Sequence, residues 1–343
     1  KKLEKRDFGL ICFLFLKLEY MLTFCTLFDS GYLSRGIAMY ESLRRFCPDF
    51  HLYIFAFDNV CYDFFDRKNL DDITIISLSE FEDEQLLSAK MNRSNGEYCW
   101  TCTPSIVLYV LNHYNVESCT YVDADLFFFS SPQVLIDEVG KDSVLITEHR
   151  YTKKYDQTEA SGKYCVQFVY FRNDNRARIV LEWWRNACLE WCYSRVEDGK
   201  FGDQKYLDDW CVRFEGVHEL QHLGGGVAPW NMQQYSFIKK GGKIYGIENV
   251  TLKEFEIVFF HFHALAFLSP ILFAFSPFYE KRDWSVYSYI FAPYAYEILK
   301  ERRKYPCIMK SEKYSKKIKG LKYPFYEKLY CIWNYIRVNW ICL

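Results

Sequence analysis

The chain has 343 residues, half of them hydrophobic and a fifth aromatic, enough for one large core or two smaller ones. Net charge is −1, but eleven Lys or Arg against three Glu between Lys300 and Lys328 leave the remainder at about −9. Basic charge confined to one end of an acidic body excludes a nucleic-acid footprint. The fourteen irregularly spaced cysteines, many in apolar runs like those of Cys12, Cys25 and Cys165, read as buried thiols of a cytoplasmic protein and exclude a disulfide framework.

The chain opens with "KKLEKRD" and a nine-residue apolar run, Phe8 to Leu16. That run is too short to span a bilayer, which takes about 20 residues, and no small-residue cleavage site follows it. Met21 opens the first strand pattern, so residues 1–20 are expected to be an N-terminal extension. "MLTFCTLFD" reads as a strand that ends in a turn at Asp29-Ser30-Gly31. "LSRGIAMYESLRRF" has helical spacing of Leu33, Ile37, Met39-Tyr40 and Leu43. A second strand, "FHLYIFAFD", ends at Asp58. A helix near 60–69, a short strand "DITIISL" and a helix "PSIVLYVLNHY" lead to "CTYVDADLFFF". The lone CxxC pair of Cys99 and Cys102 reads as packing, because zinc chemistry wants a second pair. "DSVLITEH" and "YCVQFVYFRN" are strands, and "ARIVLEWWRNACLEWCYSR" is a long amphipathic helix.

Strands alternating with helices predict an α/β fold, a mixed and mostly parallel sheet flanked by helices. Ligands of open α/β sheets bind outside the carboxyl ends of the strands. That rule places Asp29, Asp58 and the pair Asp123 and Asp125 on one rim.

The pair interrupts an apolar run, and buried carboxylates are costly unless paired. In extended chain, residues i and i+2 point the same way roughly 7 Å apart, so Asp123 and Asp125 can converge on one ion. Carboxylate oxygens suit hard cations such as Mg²⁺ and Mn²⁺. Two aspartates in a turn also occur by chance, so the motif alone decides nothing. Haloacid-dehalogenase phosphatases share it, but they place Thr or Val where this chain has Phe127. In "EIVFFHFHALAFL", His261 and His263 alternate with Phe260 and Phe262 and face one side, either as core histidines or as a third metal ligand. Asp203 and Gln204 precede a helical pattern, where an Asp is often only an N-cap. Gly224 to Gly226, followed by Trp230 and Asn231, would let backbone approach a ligand. No P-loop and no dinucleotide fingerprint is present.

The order of these parts resembles bacterial GT-A fold glycosyltransferases, near the family 8 type that includes lipooligosaccharide galactosyltransferases and glycogenin. The resemblance runs from about Met21 to Leu268, through "FCTLFDSGYLSRGIAMYESL", "YVDADLFFFSSP", "YCVQFVYFRN", "GDQKYLDDW" and "FHFHAL". It implies a GT-A catalytic domain over 21–275 and a helical, basic region over 276–343. It implies that Thr26, Leu27, Phe28, Tyr32 and Asp123 bind the donor nucleotide, and that Asp123, Asp125 and His261 bind Mn²⁺ (or Mg²⁺), with His263 as second choice. By the same resemblance Asp203 and Gln204 are catalytic, near the donor sugar, and Gln167 lies on the acceptor side. Ala264 stands where the family has Gly. Phe267 stands where it has a diphosphate-binding Lys, so another group must neutralise the phosphate.

The implied activity is transfer of a hexose from a UDP-sugar to a glycan or lipid-linked saccharide, with retention. Alternatives are a metal-dependent sugar-nucleotide phosphohydrolase, for which no base stands out, and a non-catalytic nucleotide-sugar-binding scaffold. The basic, aromatic tail from about 300 onward suggests peripheral attachment to an anionic surface, the inner face of the cytoplasmic membrane.

Overall fold

The structure is a computed structural model that describes residues 21–280 and 284–314. The expected extension at 1–20 and the tail from 315 onward lie outside the described residues. The central sheet has seven strands in the order β3-β2-β1-β4-β7-β6-β8. They are β1 (Leu22–Phe28), β2 (Phe50–Ala56), β3 (Ile73–Ser77), β4 (Ser118–Val122), β6 (Val144–Glu148), β7 (Tyr164–Arg172) and β8 (Val217–Glu219). All neighbours run parallel except β7, which is antiparallel to both β4 and β6. The expected α/β class holds. The reversal at β7 goes with the link between β6 and β7, which carries only a 3-10 turn (Lys153–Tyr155) and a four-residue helix (Thr158–Ser161), short of the crossover helix a parallel return needs.

Helices pack on both faces. Helix α1 (Leu33–Phe46) follows β1, and α2 (Asn59–Asp66) follows β2. α1 closes tightly on β1 at Gly36, where a Cβ would lie 2.4 Å from the Phe28 ring. Helix α3 (Asn95–His113) starts well before Pro104, where the sequence suggested its beginning. A capping box between Ser94 and Glu97 sets the true start and leaves Pro104 inside the helix. Cys99 and Cys102 lie in this helix, with Cys102 buried. Helix α4 (Asn175–Glu190) is capped by Asp174 and stops at Glu190, because Trp191 turns extended. One hydrophobic cluster, with Ile106, Val180 and Trp184, fills the space beneath α3 and α4; a second, with Leu33, Ile37 and Leu43, lies beneath α1.

The run around Asp123 is not one strand. β4 ends at Val122, and Asp123-Ala124-Asp125 makes a turn in which Leu126 N–H donates to Asp123 O at 3.2 Å. The chain then resumes as β5 (Leu126–Phe128), outside the main sheet. A three-stranded antiparallel sheet, β9 (Tyr235–Lys240), β10 (Lys243–Glu248) and β11 (Glu254–Glu256), leads to β12 (Phe259–His261), which pairs antiparallel with β5. Helix α5 (Ala292–Lys304) covers this pair. A third cluster, with Phe127, Phe260, Phe262, Phe291 and Tyr294, forms between them, and the Phe262 and Tyr294 rings stack at 3.8 Å.

Part of the region expected as a basic tail is therefore core up to residue 314. Arg302 and Glu312 are buried and paired, and Glu312 also accepts from Ser34 Oγ on α1. Among the described residues no helix is long and apolar enough to cross a membrane.

Candidate active site

Backbone pairing brings the site together. His261 stands opposite Leu126 in the β5–β12 ladder, and Phe262 N–H donates to Asp125 O at 2.9 Å. Asp123 N–H donates to the carbonyl of Gln167 at 3.0 Å, which continues the β4–β7 ladder past the end of β4. The antiparallel register of β7 thus lays the middle of that strand beside the carboxyl end of β4.

The side chains converge accordingly. His261 Nε2 lies 3.1 Å from Asp125 Oδ1 and 3.6 Å from Asp123 Oδ2. One ligand atom from each of the three residues lies within 4.8 Å of the others. The sequence argument for Asp123 and Asp125 assumed an extended chain. The convergence is real, but a turn produces it. Burial opposes charge on His261, yet Asp125, through its charge and hydrogen bond, and Asp123 hold the imidazole well above its usual range.

The ring is oriented from behind. His261 Nδ1–H donates to Gln167 Oε1 at 2.7 Å, so Nε2 faces the carboxylates. Tyr121 O–H donates to Asp123 Oδ1 at 2.8 Å, which leaves Oδ2 for the cluster. Two carboxylate oxygens and an imidazole nitrogen, each held by a further partner or by the backbone, fit a divalent cation.

The other expected residues fall as follows. Gln167 is fully buried against His261 and presents no surface to an acceptor. His263 lies outside the converging group; it is exposed, with its ring 5.9 Å from that of His261. Ala264, at the family's Gly position, takes φ +60°. Asp203 is buried and is not a helix cap: the residue at the cap position is Gln204, whose side chain makes no capping bond. Burial first, then the charge of Asp123, push the Asp203 carboxyl up to about 7, against the opposing Thr103 side chain. Gln204 Nε2 donates to Ser161 O at 2.7 Å. Thr26, Leu27 and Phe28 are buried in β1, and Thr26 Oγ1 has no partner among the described residues. Tyr32 is 45% exposed, and its hydroxyl is pushed up to about 12 by partial burial and by Asp125.

Rim aspartates Asp29 and Asp58 bind backbone instead. Asp29 accepts from Gly31 N–H, and Asp58 accepts from Ser30 and Cys61 N–H. The glycine run serves packing rather than ligand approach. A Cβ on Gly224 would lie 1.9 Å from Glu256 O, and one on Gly226 would crowd Thr147 and Gln167. Asn231, fully buried, ties that turn to His149 and Gly226 through Nδ2, and Trp230 sets its ring edge-on to His261 at 5.3 Å. Tyr121 and Arg35 carry no role that the sequence pattern assigns. Arg35 was detectable as a cation on the buried side of α1, one turn from Met39.

Fold and site together define an α/β protein with a carboxylate–histidine group at the rim of its sheet that could hold a metal ion. Two Bacillus subtilis (strain 168) proteins are similar to the chain. Uncharacterized protein YfnD is 31% identical over 278 residues, 79% of this chain and 86% of that one. Uncharacterized protein YfnF is 30% identical over 254 residues, 72% of this chain and 82% of that one. The chain belongs to the family of YfnD and YfnF. No protein-family model matches it. Among solved structures, galactosyltransferase LgtC in complex with donor and acceptor sugar analogs is similar at 13% identity, over 58% of this chain and 73% of that one, with a TM-score of 0.40.

Proposed function

We propose that this protein is a GT-A type glycosyltransferase that moves a hexose from a UDP-sugar, UDP-glucose or UDP-galactose, to a glycan or lipid-linked saccharide with retention. The observation that carries the reading is the convergence of Asp123, Asp125 and His261 Nε2 outside the carboxyl end of β4. Asp123, Asp125 and His261 would hold Mn²⁺, which an imidazole ligand favours over Mg²⁺. When bound, the ion supplies Lewis-acid stabilisation of the charge that develops on the leaving diphosphate.

The chain's own residues do the remaining work. Gln167 keeps the His261 nitrogen turned inward, which makes it a positioning residue. Tyr32 and the backbone at the end of β1, from Thr26 to Phe28, receive the nucleoside. Asp203 and Gln204 flank the donor sugar; Gln204 is an amide and a poor nucleophile, which favours front-face attack by the acceptor hydroxyl over a covalent intermediate. Attachment to an anionic membrane belongs to the same proposal and rests on the basic, aromatic run beyond 314. Sedimentation with anionic liposomes tests it. The truncated chain should end after Tyr314, because ending at Leu299 would remove buried Arg302 and Glu312.

The test of function is incubation with a panel of UDP- and GDP-sugars and Mn²⁺, measuring released nucleotide and transferred sugar separately. Transfer that is lost in Asp125→Ala, on the order of 10³-fold or more, is the expected result. Nucleotide release without transfer points to hydrolysis, and no turnover of any donor overturns the reading.

A further inference from the structure

Among the described residues Arg35 is a buried cation without a paired carboxylate. It lies on α1, 7% exposed. Its Nη2 donates to Leu265 O at 2.8 Å and its Nη1 to Gly31 O at 3.3 Å. Its guanidinium carbon sits 4.2 Å from the Phe267 ring centroid and 4.4 Å from that of Tyr32. Among the described residues no carboxylate pairs with it within 4 Å, whereas the other deeply buried arginine, Arg302, is paired with Glu312. Carbonyls and rings orient a guanidinium but do not neutralise it. A buried charge left uncompensated costs several kcal/mol, so the arrangement is costly unless an anion completes it.

The position of Arg35 says which anion. Leu265 and Phe267 follow His261 on the same segment, and Tyr32 and Gly31 follow the end of β1, so Arg35 bridges the two segments that border the cation group. Two carboxylates and a neutral imidazole already balance a divalent ion, leaving a bound diphosphate with its charge uncompensated. A guanidinium, with its fork of donors, is well matched to phosphate oxygens.

We propose that Arg35 is the donor-diphosphate cation of this site, held between Tyr32 and Phe267 so that its free N–H edge meets the phosphate oxygens. This rests on the reading of the site as a nucleotide-sugar site. Phe267 then contributes as an aromatic support for the arginine rather than as a phosphate ligand.

The experiment is calorimetric titration of the full chain, with Mn²⁺ present, using UDP and uridine as probes, for wild type, Arg35→Gln and Arg35→Lys. Thermal melts establish that each variant is folded. The expected result is a loss of UDP affinity of 10-fold or more in Arg35→Gln, a smaller loss in Arg35→Lys, and uridine affinity within about two-fold throughout. If wild type binds UDP and folded Arg35→Gln binds it equally well, the Arg35 proposal is overturned and the nucleotide-sugar reading stands. If Arg35→Gln does not fold, Arg35→Lys decides: unchanged UDP affinity there, with its planar fork lost, also overturns the proposal. If wild type does not bind UDP, both fall together.

Discussion

Gln167 Oε1 lies 2.7 Å from His261 Nδ1, across 94 residues of sequence, and both side chains are buried. The amide fixes which imidazole nitrogen is free. Its own Nε2 has no partner among the described residues, so the amide contributes little net stability. Gln167→Leu should therefore leave the urea midpoint close to wild type while weakening Mn²⁺ binding about 10–100-fold. Gln167→Glu, which keeps an acceptor facing Nδ1, should recover most of that loss. Metal titrations of the two variants check this; equal and undiminished affinity in Gln167→Leu would show that the histidine orients itself.

His261 and His263 are separated by one residue, but only His261 joins the aspartates. His261→Ala should lower Mn²⁺ affinity by more than about 10-fold, and His263→Ala by no more than about two-fold. Titrations of the two alanine variants rank them, and comparable losses would assign the exposed ring a ligand role.

His149, which is not one of the three converging ligands, supplies a further pH dependence. It is buried, stacked on Tyr151 with ring centroids 4.5 Å apart, and its Nδ1–H donates to Lys163 O. Burial, reinforced by the charges of His261 and His263, pushes it down to about 3. The unfolded chain takes up that proton near pH 6.5, so stability is lost as pH falls from about 6.5 toward 3, by a few kcal/mol in order of magnitude. His149→Phe should cost about 1 kcal/mol at pH 7 yet show a shallower fall in urea midpoint between pH 7 and pH 4.5. His51 and His222, also lowered by burial, leave a residual slope. Parallel midpoint curves for wild type and variant would remove His149 from the account.

Ala264 holds φ +60°, a backbone conformation that favours glycine. Ala264→Gly should raise stability by about 0.5–1 kcal/mol, the relief of strain exceeding the added entropy of the unfolded chain. Chemical denaturation measures it, and a lower midpoint would mean that the alanine methyl packs well enough to offset its backbone.

Much of the fold was legible because the signals were local. Alternation and helical spacing marked β1, α1, β2 and β3, and the rim rule put Asp123 and Asp125 beside a cleft. What sequence spacing could not give was pairing between distant segments. Nothing near Leu126 says that the chain leaves the sheet there, because its partner is β12, and nothing near Gln167 says that β7 reverses. The glycine run was misjudged for the same reason: Gly224 is small because of Glu256, a neighbour in space. Arg35 lies one turn from Met39 on the buried side of α1, but only the distant Leu265 and Phe267 show what it meets there.

The pairing of β5 with β12 also has a kinetic meaning. It joins chain segments on either side of nearly the whole second half of the domain, and contacts so far apart are among the last to be worth their loop-closure entropy. The turn at Asp123 and Asp125 can form early with β4, but His261 reaches it only when β9 to β12 have docked. A divalent ion gripping all three would act as a staple across that late seam. Its binding free energy would then be spent on holding the seam shut, so the bound protein should open there less often than the free one.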